Sequence, residues 1–238
     1  MRTFRSQAGP FAERPYYEDE ELEIIAADEL RKVGLMPGSP SPVRIDRFIE
    51  KRFGLVPQFD DLAHGILGFT QFGATGAEAV VLALDLAEEG SQSSERRLNS
   101  TLAHEAGHML LHGHLFYLER TSASPRLLDD DLDEANQRIL CRPEADNSAE
   151  GRPRYDGRWW EYQANQMIGP LLMPRALVSV TIDPLQEPLG QLGVAGLERD
   201  RRDEAGRLLA DVFDVNPAAA RVRLDKLFPL ASESQLRF

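Results

Sequence analysis

The sequence predicts an α+β fold, and three observations carry that reading. Apolar residues recur at helical spacing in several stretches, three short β-rich runs punctuated by Asp and Gly fall between Leu55 and Leu84, and a long helical pattern follows at once from Ser94 to His112. Length and composition permit it: 238 residues with 42% hydrophobic content can bury a sizeable core. The formal charge of −12 argues against a general nucleic-acid binder and against attachment to an anionic membrane, because both need a basic surface. No apolar h-region follows the basic residues at the N-terminus, and the longest apolar run, Ala79 to Leu84, falls far short of the ~18 residues of a spanning helix. The single cysteine, Cys141, cannot form an intramolecular disulfide and fits a reducing compartment, so a cytoplasmic location is expected.

Residues 1–17 are polar and proline-containing and read as a loose arm. An acidic helix is expected from Tyr17 to Val33, with Leu22, Ile25 and Leu30 on one face and the Glu and Asp run facing solvent. Pro37, Gly38, Pro40 and Pro42 interrupt the chain before a second helix, Ile45–Phe53, whose Ile45, Phe48 and Ile49 form a stripe suited to the core. The β-rich runs Leu55–Phe59, Ile66–Phe72 and Ala79–Leu84 then suggest a small sheet beside the long helix. For that helix Ser94 is the expected cap, with Glu95 in the first turn and Leu98, Leu102, Met109 and Leu110 on the apolar side.

Residues 113–158 are rich in Asp, Arg, Pro and Ser and read as a long surface excursion, a candidate lid over a cleft. The acidic patch Asp129, Asp130, Asp131, Asp133 and Glu134 lacks the glycine and the twelve-residue spacing of an EF-hand loop, so calcium is not expected there. Near the C-terminus, residues 203–213 and 217–227 read as two short helices in a helix-turn-helix-like arrangement, with Asn216 capping the second and Pro217 at its first position. A reading helix would present polar side chains from its first turn, and Pro217, Ala218, Ala219 and Ala220 stand there instead. Arg221, Arg223 and Lys226 could touch phosphate, but Asp211, Asp214 and Asp225 offset them, so packing or partner docking is favoured over DNA binding. The resulting division is an N-terminal arm and helix over 1–42, a central domain over 43–185, and a helical C-terminal subdomain over 186–238.

The chemistry concentrates in His104-Glu105-Ala106-Gly107-His108. On a helix, positions i and i+4 lie on one face, so His104 and His108 can hold one ion between two imidazoles while Glu105 stands beside it. Two histidines and a glutamate in an H-E-x-x-H helix supply two zinc ligands and a general base for a metal-activated water, which is peptide-hydrolysis chemistry. Gly107 costs such a helix about 1 kcal/mol relative to alanine, a cost that a plain packed helix has little reason to carry.

A catalytic zinc needs a third protein ligand and an open position. Glu161, at the head of a helical pattern carrying Ala164, Ile168, Leu171 and Leu172, is the stronger candidate, with Asn165 one turn on as a hydrogen-bond partner for a ligand. His114 is the alternative, but Leu111 stands where a sharp return to the metal calls for glycine, and Gly113 comes too late. His112 cannot join His104 and His108 on one ion, since three turns of straight helix spread over ~12 Å at a 1.5 Å rise. It is expected behind the ligands, or as a cation favoured by the helix C-terminus. His112 and Tyr162 are also candidates to share oxyanion charge with the metal. His64 reads as an ordinary loop histidine. Cys141 is expected to be a packed thiol, with an inhibitory zinc thiolate as the alternative.

His104-Glu105-Ala106-Gly107-His108-Met109-Leu110-Leu111-His112, then Glu161-x-x-Ala164-Asn165, then Leu171-Leu172-Met173-Pro174, together resemble the ImmA/IrrE family of metallopeptidases. The likeness spans about residues 45 to 228 and is far more specific than H-E-x-x-H alone. It implies a zincin-like catalytic domain of the minimal gluzincin type, with the small sheet packed on the H-E-x-x-H helix. It further implies Zn2+ held by His104, His108 and Glu161, with Glu105 as general base. Members of that family typically cleave a transcriptional repressor or antitoxin, so a protein substrate of that kind is the expected partner. The chain departs from the pattern in a longer gap before Glu161 and in Gly169 and Pro170, where Pro170 is expected to kink the helix without displacing the ligand. Two rival readings are a non-catalytic, antitoxin-like regulator that keeps the metal for structure and a DNA-binding factor that uses the C-terminal helices.

Overall fold

The computed structural model describes residues 2–5, 13–73, 75–115, 132–133, 138–141, 158–189 and 194–229. Within the expected loose arm, β1 (Arg2–Arg5) pairs antiparallel with β2 (Glu13–Tyr16), from Arg2 opposite Tyr16 to Arg5 opposite Glu13. These two strands pair because Phe4 packs edge-on against Tyr16 and the strands satisfy each other's backbone groups, features that a polar, proline-containing composition conceals.

Helix α1 (Asp19–Lys32) starts with a capping box between Glu18 and Glu21, and Asp19, Glu20 and Glu21 sit where the helix dipole favours negative charge. Leu22, Ala26 and Leu30, spaced by four, are its buried face. Its acids are not all solvated as expected: Glu29 is buried between Lys32 and Arg52, and Glu23 reaches the C-terminal helices. Helix α2 (Ile45–Phe53) buries Ile45, Phe48 and Ile49 and ends at Gly54, whose φ of 71° few side chains tolerate.

The central sheet has the order β3-β5-β4-β7-β6, formed by β3 (Gln58–Asp60), β4 (Gly68–Gly73), β5 (Gly76–Ala83), β6 (Leu132–Asp133) and β7 (Arg138–Cys141). Only the β3–β5 pairing is parallel. The first three strands match the β-rich runs. The last two correct the view of residues 113–158 as wholly a surface excursion, because Ile139 and Cys141 are buried and β7 is an interior strand. The acidic patch lies largely outside the described residues.

After the short α3 (Leu84–Glu88), helix α4 (Gln92–Leu111) begins at Ser91, whose hydroxyl accepts from the Ser94 N–H. The cap is therefore Ser91 rather than Ser94, and Ser94 serves as the reciprocal member of the box. Helix α5 (Trp159–Leu172) is continuous through the buried Pro170, and it meets the next helix at 55° across the break after Leu172. Helix α6 (Arg175–Ile182) and a 3-10 turn lead to the hairpin β8 (Glu187–Leu189) and β9 (Val194–Gly196), then to α7 (Arg202–Val212) and α8 (Pro217–Leu227). Asn216 caps α8 by accepting from the Ala218 N–H. No single helix among the described residues is long and apolar enough to cross a membrane.

One hydrophobic cluster joins α1, α2, α4, α5, α6, α7 and α8, so the terminal helices share a core with the central segment. A smaller one gathers Phe72, Leu115, Ile139, Trp159 and Trp160 where the sheet meets the start of α5. Arg223 pins the terminal helices together. It is 1% exposed, its guanidinium grips both oxygens of Glu23, and Nε and Nη2 donate to the Met173 carbonyl at 3.0 and 2.8 Å. Gly169 leaves room for it, since a Cβ there would stand 3.0 Å from Arg223 Cδ. Breaking a buried ion pair from one side costs about 3–5 kcal/mol because the other charge stays buried alone. Glu23→Ala is therefore expected to lose stability on that scale in urea unfolding, and a loss under about 1 kcal/mol would show that Arg223 simply reaches water.

Candidate metal centre

Helices α4 and α5 cross at the point where their side chains are smallest. A Cβ on Gly107 would lie 3.0 Å from the Ala164 carbonyl oxygen, 3.1 Å from Ala164 Cα and 3.1 Å from Met167 Cβ. Glycine is thus required for the approach, which accounts for its presence in the middle of a helix. His104 and His108 stand on either side of Gly107 on one helix, and Glu161 and Asn165 flank Ala164 on the other, each pair four residues apart and hence on one face. The close crossing brings these two faces together.

His104 Nε2 and His108 Nε2 are 2.9 Å apart, and Glu161 places Oε2 3.2 Å from the first and Oε1 3.2 Å from the second. Ligands on bonds of about 2.0–2.1 Å around a tetrahedral ion stand about 3.3 Å apart, so the three donors have the spacing of one coordination sphere. Both histidines are buried, as is most of Glu161. Burial would raise the Glu161 carboxyl, but in the metal-free chain the protons and positive charge that His108 and His104 take up toward it hold it well below the usual carboxylate range.

The outer ring nitrogens show how the imidazoles are held. His104 Nδ1 lies 2.8 Å from Asn165 Oδ1, an acceptor, so the proton belongs on Nδ1 and the Nε2 lone pair faces the ligand cluster. His108 Nδ1 lies 3.0 Å from His112 Nδ1, His112 Nε2 lies 3.1 Å from Gln163 Oε1, and the Gln163 amide donates to the Pro15 carbonyl at 2.6 Å. Read from the fixed carbonyl inward, this chain makes His112 a donor at Nε2 and an acceptor at Nδ1, which leaves His108 with its lone pair on Nε2. Two lone pairs and a carboxylate aimed at one point call for a cation.

Glu105 lies beside this point and is fully buried. Its Oε2 accepts from the Thr70 hydroxyl of β4 at 2.5 Å, while its Oε1 has no hydrogen-bond donor. Burial pushes this carboxyl up to about 7. Two imidazole nitrogens and a carboxylate oxygen form a group that could hold a metal ion.

The other candidates sort clearly. His112 is buried and its ring nitrogens are committed to His108 and Gln163, so it backs a ligand and is not placed as an oxyanion donor. Burial and the neighbouring His108 push its pKa well below the ordinary value, which corrects the expectation of a dipole-favoured cation. Tyr162 is 50% exposed and belongs to neither metal-capable group among the described residues. His114 is exposed and belongs to neither metal-capable group among the described residues. Cys141 is buried, as expected of a packed thiol, and interacts with His104. Thr70, Gln163 and Pro15 were not legible as parts of the site, because sheet pairing and a contact across 148 residues bring them there.

Gly107→Ala must push Ala164 and Met167 back by a few tenths of an ångström, an overpacking cost of about 1–3 kcal/mol against ~1 kcal/mol gained in helix propensity. Metal affinity measured by calorimetric titration is expected to fall about tenfold, and unchanged affinity would show that the crossing has slack. For the metal-free chain, the Glu105 pKa is raised from 4.5 to about 7, so folding favours the protonated acid and stability falls as pH rises through that window. Glu105→Gln is expected to be neutral below pH 4.5 and stabilising by about 3 kcal/mol above pH 7, read from urea unfolding at both ends. A pH-independent effect would contradict the burial of a charge there.

Comparison with protein-family models, curated proteins and solved structures finds no match for this chain.

Proposed function

We propose that the chain is a zinc-dependent endopeptidase that hydrolyses a peptide bond in a protein substrate. The observation that carries this reading is the donorless, fully buried Glu105 Oε1 beside three converging ligand donors. A purely structural ion gains nothing from a second carboxylate held out of water, whose burial is costly unless a positive charge or a proton stands near it. The likeness of the His104–His112, Glu161–Asn165 and Leu171–Pro174 segments to the ImmA/IrrE pattern supports the same chemistry. It favours a repressor or antitoxin as substrate and a cytoplasmic setting.

When bound there, zinc supplies Lewis acidity toward the scissile carbonyl and lowers the pKa of a water toward ~7. His104, His108 and Glu161 hold it, with Asn165 and His112 fixing the two rings in the ligating tautomer. Thr70 holds one oxygen of Glu105 so that the other faces the attacking water, takes its proton and returns it to the leaving amine. A neutral His112 behind His108 suits this role, because a cation there would repel the metal.

A non-catalytic regulator would share the ligands but have no use for Glu105. A DNA-binding role for α8 has less to draw on, since Arg223 is buried on Glu23, Lys226 pairs with Asp19 at 2.8 Å, and Arg221 stands 3.9 Å from Asp203.

The deciding experiment compares new protein N-termini in cells expressing the wild type and Glu105→Gln, with metal content measured in both. A cleavage product is expected only with the wild type, with turnover in the variant lowered by about 10²–10⁴ and its metal retained. Identical N-termini with metal in both proteins would overturn the peptidase and favour the regulator.

A further inference from the structure

His104 and His108 are supported in different ways. His104 is held by Asn165, which stands on the same helix as Glu161. His108 is held by a relay of His112, Gln163 and the Pro15 carbonyl, which leaves the two helices and ends on β2. His112, Gln163 and Pro15 are all buried, so a hydrogen bond lost along the relay strands a polar group inside the protein.

The far end of the relay sets its direction. A carbonyl can only accept, so the side of the Gln163 amide 2.6 Å from the Pro15 oxygen is its NH2 group, and the side 3.1 Å from His112 Nε2 is its oxygen. The opposite orientation would set two oxygens against each other at Pro15 and an NH2 group against His112 Nε2. His112 would then carry its proton on Nδ1, and His108 would have to accept that proton at its own Nδ1. The His108 proton would stand on Nε2, the atom 2.9 Å from His104 Nε2 where a metal bond has to form. The Pro15 carbonyl thus selects which nitrogen of His108 is free, from 148 residues before Gln163 in the chain.

We propose that Gln163 is a positioning residue for the metal and that β2 belongs to the metal centre. The Pro15 carbonyl orients the Gln163 amide, which holds His112, and through it His108, with the lone pair of His108 on Nε2. This inference rests on the metal-centre reading above. Groups that back a ligand in this way are worth about 10–100-fold in metal affinity. Coupling is reciprocal, so what β2 contributes to zinc binding, zinc returns to β2. A pair of strands that only packs on the helices would gain nothing through Gln163.

The test uses the full chain with and without one equivalent of Zn2+. Histidine tautomers are read by heteronuclear NMR of the loaded protein, hydrogen exchange is followed at the β1 and β2 amides, and zinc affinity is measured by competition with a chelator. In the wild type His112 is expected to carry its proton on Nε2, and zinc is expected to slow exchange in β2 about tenfold. In Gln163→Leu, affinity should fall by about 10–100-fold and the slowing by zinc should disappear. Should that variant not fold, the wild-type tautomer and exchange decide by themselves. A wild-type His112 protonated on Nδ1, β2 exchange indifferent to zinc, or unchanged affinity in folded Gln163→Leu would each overturn the proposal and leave the three-residue site standing. Failure of the wild type to bind zinc would overturn the metal centre itself.

Discussion

The closest approach of α4 and α5, where Gly107 meets Ala164, is the constraint on which the site depends. Helix axes ordinarily pack 8–10 Å apart, at a distance set by the side chains between them. With glycine against alanine, the backbones come near enough for two short imidazoles and one short carboxylate to share a point. A helix would otherwise be more stable with alanine at 107. The residue that weakens the helix locally is the one that lets it meet its partner.

The electrostatics of the buried cluster point the same way. With both imidazoles in the ligating tautomer, Glu105 and Glu161 would leave two negative charges in a buried region. Without a metal the chain relieves this by binding protons: Cys141 and Glu161 hold the His104 pKa well above its ordinary value despite burial, and burial raises the Glu105 carboxyl. A divalent cation neutralises both carboxylates at once. Thr70, Asn165 and the His112–Gln163–Pro15 chain then fix the orientation of the three groups that face it. Through that chain the N-terminal hairpin is connected to His108, although it lies far from the motif in sequence.

What the sequence disclosed was mostly local. Apolar spacing located α2 at Ile45–Phe53, and i, i+4 geometry put His104 with His108 and Glu161 with Asn165. Asn216 and Pro217 marked the start of α8 because cap chemistry is confined to a few residues. Tertiary pairing was another matter. Composition made residues 113–158 look like surface, yet β7 gains its place by hydrogen bonding to β4, which no local pattern announces. Arg223 looked like a phosphate contact until Glu23, 200 residues away, was seen to bury it. Thr70 carries no motif at all, and only the sheet register brings it under Glu105.

The most direct test of the metal centre is anomalous diffraction at the zinc absorption edge from crystals grown with Zn2+. The account predicts one strong peak about 2.0–2.2 Å from His104 Nε2, His108 Nε2 and a Glu161 carboxylate oxygen. No peak at that position, or a peak held by other residues, would contradict it.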